Sequence, residues 1–309
     1  MTTAPSAKPR NKGQWAPAHR EPLNAHEEFE KTGNPLDVRQ RIEDVCAQVR
    51  AVSPSGRVGR FAMTEQGSRP TQAELRDLAA RGAAELEGAG ASEILRWADE
   101  NFGGVNGPRS WATCNYVVAS SMQEAVLIDL AAKVRPGVPV LFLDTGYHFV
   151  ETIGTREAVA SVYDIHVVNV APEHTVAQQN ELMGRDLFAR DPGECCRLRK
   201  VEPLGKALRG YSAWVTGLRR SEAPTRANAP VVSFDDRFQL VKVNPLATWT
   251  DEDIQDYVDE HGVLVNPLVY EGYPSIGCAP CTSKPAEGAD PRSGRWQGLA
   301  KTECGLHAS

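Results

Sequence analysis

The sequence has no apolar run long enough to cross a bilayer, and its first residues lack the apolar core of a secretory signal. With 7 cysteines in 309 residues, it also lacks the cysteine density of a disulfide-stapled scaffold. Basic residues (34) do not outnumber acidic ones (40), so a net charge of −6 gives no electrostatic footprint for duplex nucleic acid. These absences predict a cytoplasmic globular protein in which a local cluster of cations holds any anionic ligand.

The composition changes near residue 70. Residues 1–70 are rich in Pro, Ala, Ser, Thr, Arg and Gly and show no strand pattern, which predicts a flexible N-terminal extension. Helical periodicity begins at Gln72 and recurs in SEILRWADENF. Ser92 is expected to cap that second helix. Its buried face is expected to carry Ile94, Leu95, Ala98 and Phe102.

Short β-rich runs alternate with helical stretches between about residues 114 and 245. The runs are YVVAS, VPVLFLD, HVVNV, AWVTGL and QLVKVNP, and one of the intervening helices is expected after ETIG. This alternation predicts an α/β fold with a doubly wound, mostly parallel sheet. Thr250 and Asp253 then form a capping box for a helix that Gly262 can close. The remainder is a loop-rich C-terminal tail that looks too irregular to be ordered without a ligand or cluster.

Ligands of open α/β sheets sit at the carboxyl ends of the strands. The loop after YVVA contains Ser120 and Ser121 and runs into a helix, so its hydroxyls and free N–H groups could receive an anion. The loop after VLFL contains Asp144, Thr145 and Gly146, and this glycine lets a ligand approach the backbone closely. Taken singly, each loop is equally an ordinary helix cap or strand-end turn. His148 alone reads as a hydrogen-bonded structural histidine.

Four cysteines in two segments supply the ligand count of an all-cysteine metal site: Cys195 with Cys196, and Cys278 with Cys281. Adjacent helical residues point about 100° apart, which suits two irons of a [4Fe–4S] cluster better than one tetrahedral zinc ion. Zinc and unrelated thiols remain alternatives at this point.

Two further features carry chemistry. Lys200 lies four residues after Cys196, so on a helix it shares that face and could link the thiolates to an anionic substrate. It could equally be an exposed lysine of a basic stretch. Cys304 lies between Lys301 and His307, in a tail that also contains Arg292 and Arg295. A cationic neighbourhood lowers a thiol pKa, which makes Cys304 a candidate nucleophile.

In combination, these motifs resemble the assimilatory sulfonucleotide reductases, specifically the iron–sulfur adenosine 5′-phosphosulfate (APS) reductases. The resemblance runs from about residue 72 to 309 and includes LDTGYHFVET, CCRLRKVEPL, WVTGLRRSEAPTRA, GYPSIGCAPCT and KTECGLH. The serine loop also resembles the PP-loop of ATP pyrophosphatases, but Ser121 and Met122 stand where that motif has glycines. A nucleotide with a single phosphate-like group therefore fits better than ATP. Family members often have a proline at the position of Val150.

The resemblance implies a PP-loop (adenine nucleotide α-hydrolase-like) fold and thioredoxin-dependent reduction of APS to sulfite and AMP in sulfate assimilation and cysteine biosynthesis. It implies a [4Fe–4S] cluster that is not cycled as an electron carrier, and a reductase domain at 71–309 with a mobile catalytic tail from about 285. The implied residues fall into four groups. They are the cluster ligands Cys195, Cys196, Cys278 and Cys281; the nucleophile Cys304; the adenosine contacts Ser120, Ser121, Asp144, Thr145, Gly146 and Gly217; and the phosphosulfate contacts Lys200, Arg226, Arg292, Arg295 and His307.

Three other functions remain open from the sequence. The nearest is reduction of the 3′-phosphorylated nucleotide, PAPS, by the same mechanism, although such enzymes typically lack the four cluster cysteines. An ATP-dependent PP-loop thiolation enzyme would require the missing glycines and would turn over ATP. A non-catalytic zinc-binding module would be colourless and would have no use for Cys304.

Overall fold

The computed structural model describes residues 70–104, 114–298, 301, 303 and 305–306, all within one unit of the chain, Gly67–Ser309. The expected N-terminal extension therefore lies outside the described residues except at its last position. Cys304 and His307 also lie outside them.

Six strands form one sheet. They are β1 (Tyr116–Ala119), β2 (Val138–Leu143), β3 (Ile165–Val170), β4 (Ala213–Thr216), β5 (Val232–Asp235) and β6 (Leu240–Val243). The strand order is β3-β2-β1-β4-β6-β5, and every neighbouring pair is parallel except β5 with β6. The predicted mostly parallel sheet is confirmed, as are its five predicted strands. Strand β5 was not predicted, because only two of its four residues, VSFD, are apolar.

Ten α-helices are described around the sheet and beside it. They are α1 (Gln72–Leu86), α2 (Ala91–Phe102), α3 (Val126–Val134), α4 (Val150–Val162), α5 (Val176–Met183), α6 (Leu187–Arg190), α7 (Pro192–Cys196), α8 (Glu202–Leu208), α9 (Asp251–His261) and α10 (Pro267–Tyr270). A π-helical turn, Arg197–Val201, joins α7 to α8. Three 3-10 turns cover Arg220–Glu222, Pro224–Arg226 and Ala279–Cys281.

Helix boundaries follow the capping chemistry in part. The predicted capping box at Thr250 and Asp253 and the left-handed Gly262 at the other end of α9 are confirmed. The predicted Ser92 cap is wrong, since Gly90 is the N-cap of α2 and Ser92 lies inside the helix. Helix α4 begins at Val150 rather than after ETIG. Thr152 and Thr155 are buried on its inner face, so the helical spacing of buried residues already begins within ETIG.

Apolar side chains cover both faces of the sheet. Because successive strand residues point to opposite faces, Val118 contributes to a large cluster and Val117 to a second, smaller one. The large cluster includes the predicted buried face of α2, from Ile94 to Phe102, which is confirmed. The smaller cluster is formed by Val117, Leu141, Leu204, Leu208, Trp214 and Leu240. Packing on both faces is what a doubly wound sheet requires.

Strand β1 pairs with β2 on one side and with β4 on the other. The chain therefore changes the direction in which it adds strands at this point, and crevices for ligands form at such positions beside the carboxyl ends. Among the described residues, no helix is both long and apolar enough to cross a membrane.

Candidate active site at the carboxyl ends of the strands

A cavity of about 240 Å³ lies at the carboxyl ends of the paired strands β1 and β4. Its walls come from the loops that follow β1, β2 and β4, and from residues of the C-terminal segment. Eight predicted site residues line it: Ser120, Ser121, Thr145, Lys200, Gly217, Arg226, Arg292 and Arg295. The sheet thus brings together residues far apart in sequence, and most of them are polar or cationic.

The loop after β1 keeps a glycine-like turn without a glycine. Met122 has a left-handed φ of 60° and is fully buried, with its carbonyl accepting a hydrogen bond from Asn266 Nδ2 at 3.2 Å. Ser120 Oγ accepts a hydrogen bond from the Met122 N–H at 3.1 Å. A left-handed conformation is unfavourable for such a side chain, so burial and these hydrogen bonds must hold it. This is the position where the PP-loop motif has a glycine.

The helix after this loop starts later than the sequence suggested. Helix α3 begins at Val126, and the N–H of Val126 donates to the Glu124 carboxylate at 2.7 Å. Burial raises the pKa of Glu124, while this hydrogen bond opposes the increase. One N–H group of the helix terminus is therefore already occupied by a carboxylate of the chain itself.

The loop after β2 packs against the cysteine segments. Thr145 Oγ1 lies 3.3 Å from Cys278 Sγ, and the Tyr147 carbonyl accepts a hydrogen bond from the Ala279 N–H at 2.7 Å. Gly146 has φ 72°, and a Cβ there would lie 2.9 Å from a guanidinium nitrogen of Arg199, so a glycine is required. Thr145 lines the cavity, whereas Asp144 and Gly146 are not among its lining residues. The Asp144 carboxylate accepts a hydrogen bond from the Gly146 N–H instead.

The four predicted cysteine ligands surround a second, smaller cavity. Cys195 and Cys196 end α7, and Cys278 and Cys281 frame a 3-10 turn. Burial, together with the charges of the neighbouring thiols, raises the pKa of Cys195 to about 12 and that of Cys281 to about 11. Ionised thiols here repel one another, and a cationic metal centre would relieve that repulsion, so this donor set fits a thiolate-bound metal.

Within the described part of the chain, no three His, Cys, Asp or Glu side chains form a group suited to one metal ion. A four-iron cluster does not require such a group, because each iron takes a single protein thiolate.

Arg199 fixes the β2 loop to the π-helical turn. It is buried, and it donates hydrogen bonds to the Thr145 carbonyl and, at 2.9 Å, to Gln179 Oε1. Its guanidinium also lies 5.2 Å from the centre of the Tyr147 ring. In the sequence, Arg199 appears only as part of a basic stretch, so it was not predicted as a site residue. Its position three residues after Cys196 is the available signal.

Lys200 lines both cavities. It lies in a π-helical turn rather than in the regular α-turn that the sequence suggested, and such turns are frequent at functional sites. The charge of Lys200 lowers the pKa of Cys281, although burial is the larger effect and raises it overall. The structure therefore places this cation between the thiols and the larger cavity.

The predicted arginines differ in their pairing. Arg226 is buried and donates two hydrogen bonds of 2.9 Å to the Glu303 carboxylate, and it also pairs with Glu222. Arg292 lies 3.2 Å from Glu303. Arg295 donates to Ser275 Oγ at 3.3 Å. In this conformation, carboxylates of the chain itself face Arg226 and Arg292.

Gly217 and His148 also line the large cavity. Gly217 follows β4, and a Cβ there would make only an ordinary contact of 3.8 Å with Leu127, so sterics do not demand glycine. His148 Nε2 lies 2.8 Å from the Leu143 carbonyl, which confirms a hydrogen-bonded histidine. Burial lowers the pKa of His148, and its imidazole is therefore neutral at pH 7.

The segment after α10 follows a defined path, in contrast to the irregular tail that was expected. The Trp296 N–H donates to the Cys281 carbonyl at 3.0 Å, and the Ser283 N–H donates to the Gly294 carbonyl at 2.9 Å. A Cβ at Gly294 would lie 2.0 Å from the Ser283 carbonyl oxygen, so this close approach requires glycine. These contacts hold the second cysteine pair and the arginines of the tail against each other.

Comparison with known proteins shows similarity over most of the described residues. Residues 113–284 match the phosphoadenosine phosphosulfate reductase domain family. The chain is 74% identical over 254 residues to an adenosine 5′-phosphosulfate reductase of Mycobacterium tuberculosis (strain ATCC 25618 / H37Rv), which covers 80% of this chain and 100% of that protein. It is 73% identical over 239 residues to the enzyme of the same name from Mycolicibacterium smegmatis, which covers 77% of this chain and 97% of that protein.

A solved structure is also similar. The phosphoadenylyl-sulfate (PAPS) reductase of Candida auris, in a phosphate complex, matches with a TM-score of 0.55 and 25% identity, over 71% of this chain and 100% of that chain.

Proposed function

Because the chain belongs to the phosphoadenosine phosphosulfate reductase family, we propose that it reduces adenosine 5′-phosphosulfate to sulfite and AMP, with thioredoxin as the electron donor. The names of the mycobacterial relatives support APS as the substrate. The observation that carries the proposal is the position of Lys200, which lines both the cavity of about 240 Å³ and the small cavity among the four thiols. This position would link the proposed anion site to the proposed metal site through one side chain.

The adenosine part of APS binds at the strand ends in this proposal. Ser120, Ser121 and Gly217 line the cavity there. The Asp144–Gly146 turn lies beside them, with Thr145 in the cavity wall and a hydrogen bond from the Gly146 N–H to Asp144. The phosphosulfate part faces the cations of the same cavity: Lys200, Arg226, Arg292 and Arg295. Several cations are needed because the oxygens around the sulfur are negatively charged and repel an incoming thiolate. His307 is the further proposed contact and lies outside the described residues.

Cys304 is the proposed nucleophile. Its thiolate attacks the sulfur of APS, a bond forms between the two sulfurs, and the bond from sulfur to the bridging oxygen breaks so that AMP leaves with its electron pair. The product on the enzyme is a cysteine thiosulfonate. A thioredoxin thiolate then attacks the Cys304 sulfur and releases sulfite, and the second thioredoxin thiol resolves the mixed disulfide and restores the Cys304 thiolate. The two electrons therefore come from the thioredoxin dithiol.

Cys195, Cys196, Cys278 and Cys281 are proposed to hold a [4Fe–4S] cluster, in agreement with their burial around one small cavity. When bound, the cluster would supply a fixed local charge beside the anion site. Lys200 balances the thiolate charge and orients the phosphosulfate, and Arg199 holds the β2 loop against the cysteine helix. We further propose residues 71–309 as the reductase domain, with a catalytic tail from about residue 285, and residues 1–70 as an N-terminal extension.

The substrate is tested by measuring sulfite release from APS and from PAPS with reduced thioredoxin. We expect sulfite from APS in proportion to the oxidised thioredoxin, and a much smaller catalytic efficiency on PAPS. A higher catalytic efficiency on PAPS than on APS would show that PAPS is the substrate. Release of sulfite from neither nucleotide, by protein that retains its metal centre, would contradict the proposed function.

Lys200→Ala is expected to lower the catalytic efficiency on APS by about 10- to 100-fold, since one charge-assisted contact to a bound anion contributes about 1.5–3 kcal/mol. The cluster should still assemble, because Lys200 is not a ligand, but its spectrum should change through the loss of a neighbouring charge. Lys206→Ala is the matched control, since Lys206 is an exposed lysine of α8 paired with Glu173. Wild-type efficiency and an unchanged spectrum in Lys200→Ala would show that Lys200 is only a surface charge with no role in the reaction.

A further inference from the structure

The described residues on either side of Cys304 contact the body of the domain. Glu303 accepts hydrogen bonds from Arg226, and the Gly305 carbonyl accepts one from Arg237. Leu306 packs against the smaller apolar cluster of the sheet and lines the large cavity. The tail therefore has an ionic, a backbone and an apolar attachment within four residues.

The ionic attachment, through Glu303, has the most hydrogen bonds of the three. Both carboxylate oxygens of Glu303 are used, since Oε1 accepts from Arg226 Nε and Oε2 from Arg226 Nη2, each at 2.9 Å. Oε2 also lies 3.2 Å from Arg292, and Thr225 Oγ1 lies 3.4 Å from Oε1. The Glu303 side chain is only 20% exposed. Partial burial tends to raise the pKa of Glu303, but the hydrogen bonds and charges of Arg226 and Arg292 lower it overall, so the carboxylate is ionised at neutral pH.

A bidentate arginine–carboxylate pair fixes the orientation of the carboxylate as well as its distance from the guanidinium. A single contact to a lysine would fix only the distance. Arg226 is itself buried and held by Glu222, so its guanidinium is a fixed point. Glu303 precedes the proposed nucleophile by one residue, and consecutive Cα atoms are about 3.8 Å apart. Whatever fixes Glu303 therefore limits where the next residue can be.

We propose that Glu303 is a positioning residue, whose carboxylate docks the tail on Arg226 and Arg292 and so aligns the neighbouring Cys304 for attack. This inference rests on the proposed function. Arg226 and Arg292 are also proposed contacts of the phosphosulfate, and each guanidinium has five N–H donors. Glu303 therefore adds a negative charge next to the substrate anion, so its role is alignment of the tail rather than substrate affinity.

Alignment and affinity are separable by kinetics. Glu303→Gln removes the charge and preserves the shape, so the tail docks less firmly while the arginines face the substrate anion without a competing carboxylate. We expect the single-turnover rate of thiosulfonate formation, measured with sulfur-labelled APS and no thioredoxin, to fall by at least about tenfold. The dissociation constant for AMP should stay equal to that of the wild type or decrease. Glu303→Asp, which keeps the carboxylate, should recover part of the rate.

Glu287→Gln is the matched control, because Glu287 is an exposed carboxylate of the same C-terminal segment. It should label at the wild-type rate. Iron and sulfide content and the melting temperature, measured for each variant, separate misfolding from loss of alignment. Wild-type labelling by Glu303→Gln would overturn the inference, as would loss of AMP affinity equal to the loss of rate in both Glu303 variants. Absence of labelling in the wild-type protein itself would instead overturn the proposed function.

Discussion

Cys304→Ser is expected to bind APS and to release no sulfite. Binding should persist because the strand-end loops and the four proposed cluster ligands are unchanged. The chemistry should stop because a serine hydroxyl has a pKa far above that of a thiol and offers almost no anion at neutral pH. A sulfate ester formed on serine could not be opened by thiol exchange either. The expected loss is complete within the limit of the sulfite assay.

The two remaining cysteines, which are neither proposed cluster ligands nor the proposed nucleophile, provide the controls. Cys114 is buried, its Sγ lies 3.2 Å from the Tyr116 carbonyl, and burial raises its pKa to about 11, so it is a poor nucleophile. Cys46 lies outside the described residues. Cys114→Ser and Cys46→Ser should both form a labelled, dithiol-sensitive adduct from sulfur-labelled APS. Label on Cys304→Ser, or sulfite from it at the wild-type rate, would remove Cys304 from the mechanism.

Patterns local in sequence predicted most of the fold. Five strands and the capping box of α9 depend on residues within a few positions of one another, so spacing alone carries the information. Strand β5 was missed because only two of its four residues, VSFD, are apolar, whereas the equally short β1, β4 and β6 are mostly apolar. Met122 escaped for another reason. Its left-handed φ is imposed by burial and by Asn266, which is 144 positions away in sequence.

The sequence indicated most of the individual residues of the candidate site, but not which of them contact one another. Residue types and spacing indicated the four thiols, the strand-end loops and the tail cations. They did not indicate that Glu303 faces Arg226, because the two residues are 77 positions apart and each reads alone as a surface charge. The same holds for Arg199 and the Thr145 carbonyl, 54 positions apart. Tertiary contacts of this kind become visible only when the sheet has fixed the relative positions of its loops.

Replacement of one proposed ligand should remove the metal centre. In Cys278→Ser, the thiol is exchanged for a hydroxyl that ionises far less readily, at a buried position where Thr145 already supplies a hydroxyl 3.3 Å from the sulfur. In the proposed cluster each iron takes one cysteine thiolate, so this exchange leaves one iron with a much weaker ligand and destabilises the cluster. We expect anaerobically purified Cys278→Ser to lose iron and acid-labile sulfide together, along with the brown absorbance of the wild type.

Activity should disappear in Cys278→Ser, but the metal analysis is the more direct test. Cys114→Ser is the control, since Cys114 is also buried but lies two residues before β1 and does not line the small cavity. It should retain iron and sulfide in wild-type amounts. One zinc per chain and no acid-labile sulfide in the wild-type protein would contradict the cluster and favour a zinc site. Full iron and sulfide in Cys278→Ser would remove that residue from the ligand set, because a cluster that survives its loss cannot depend on its thiolate.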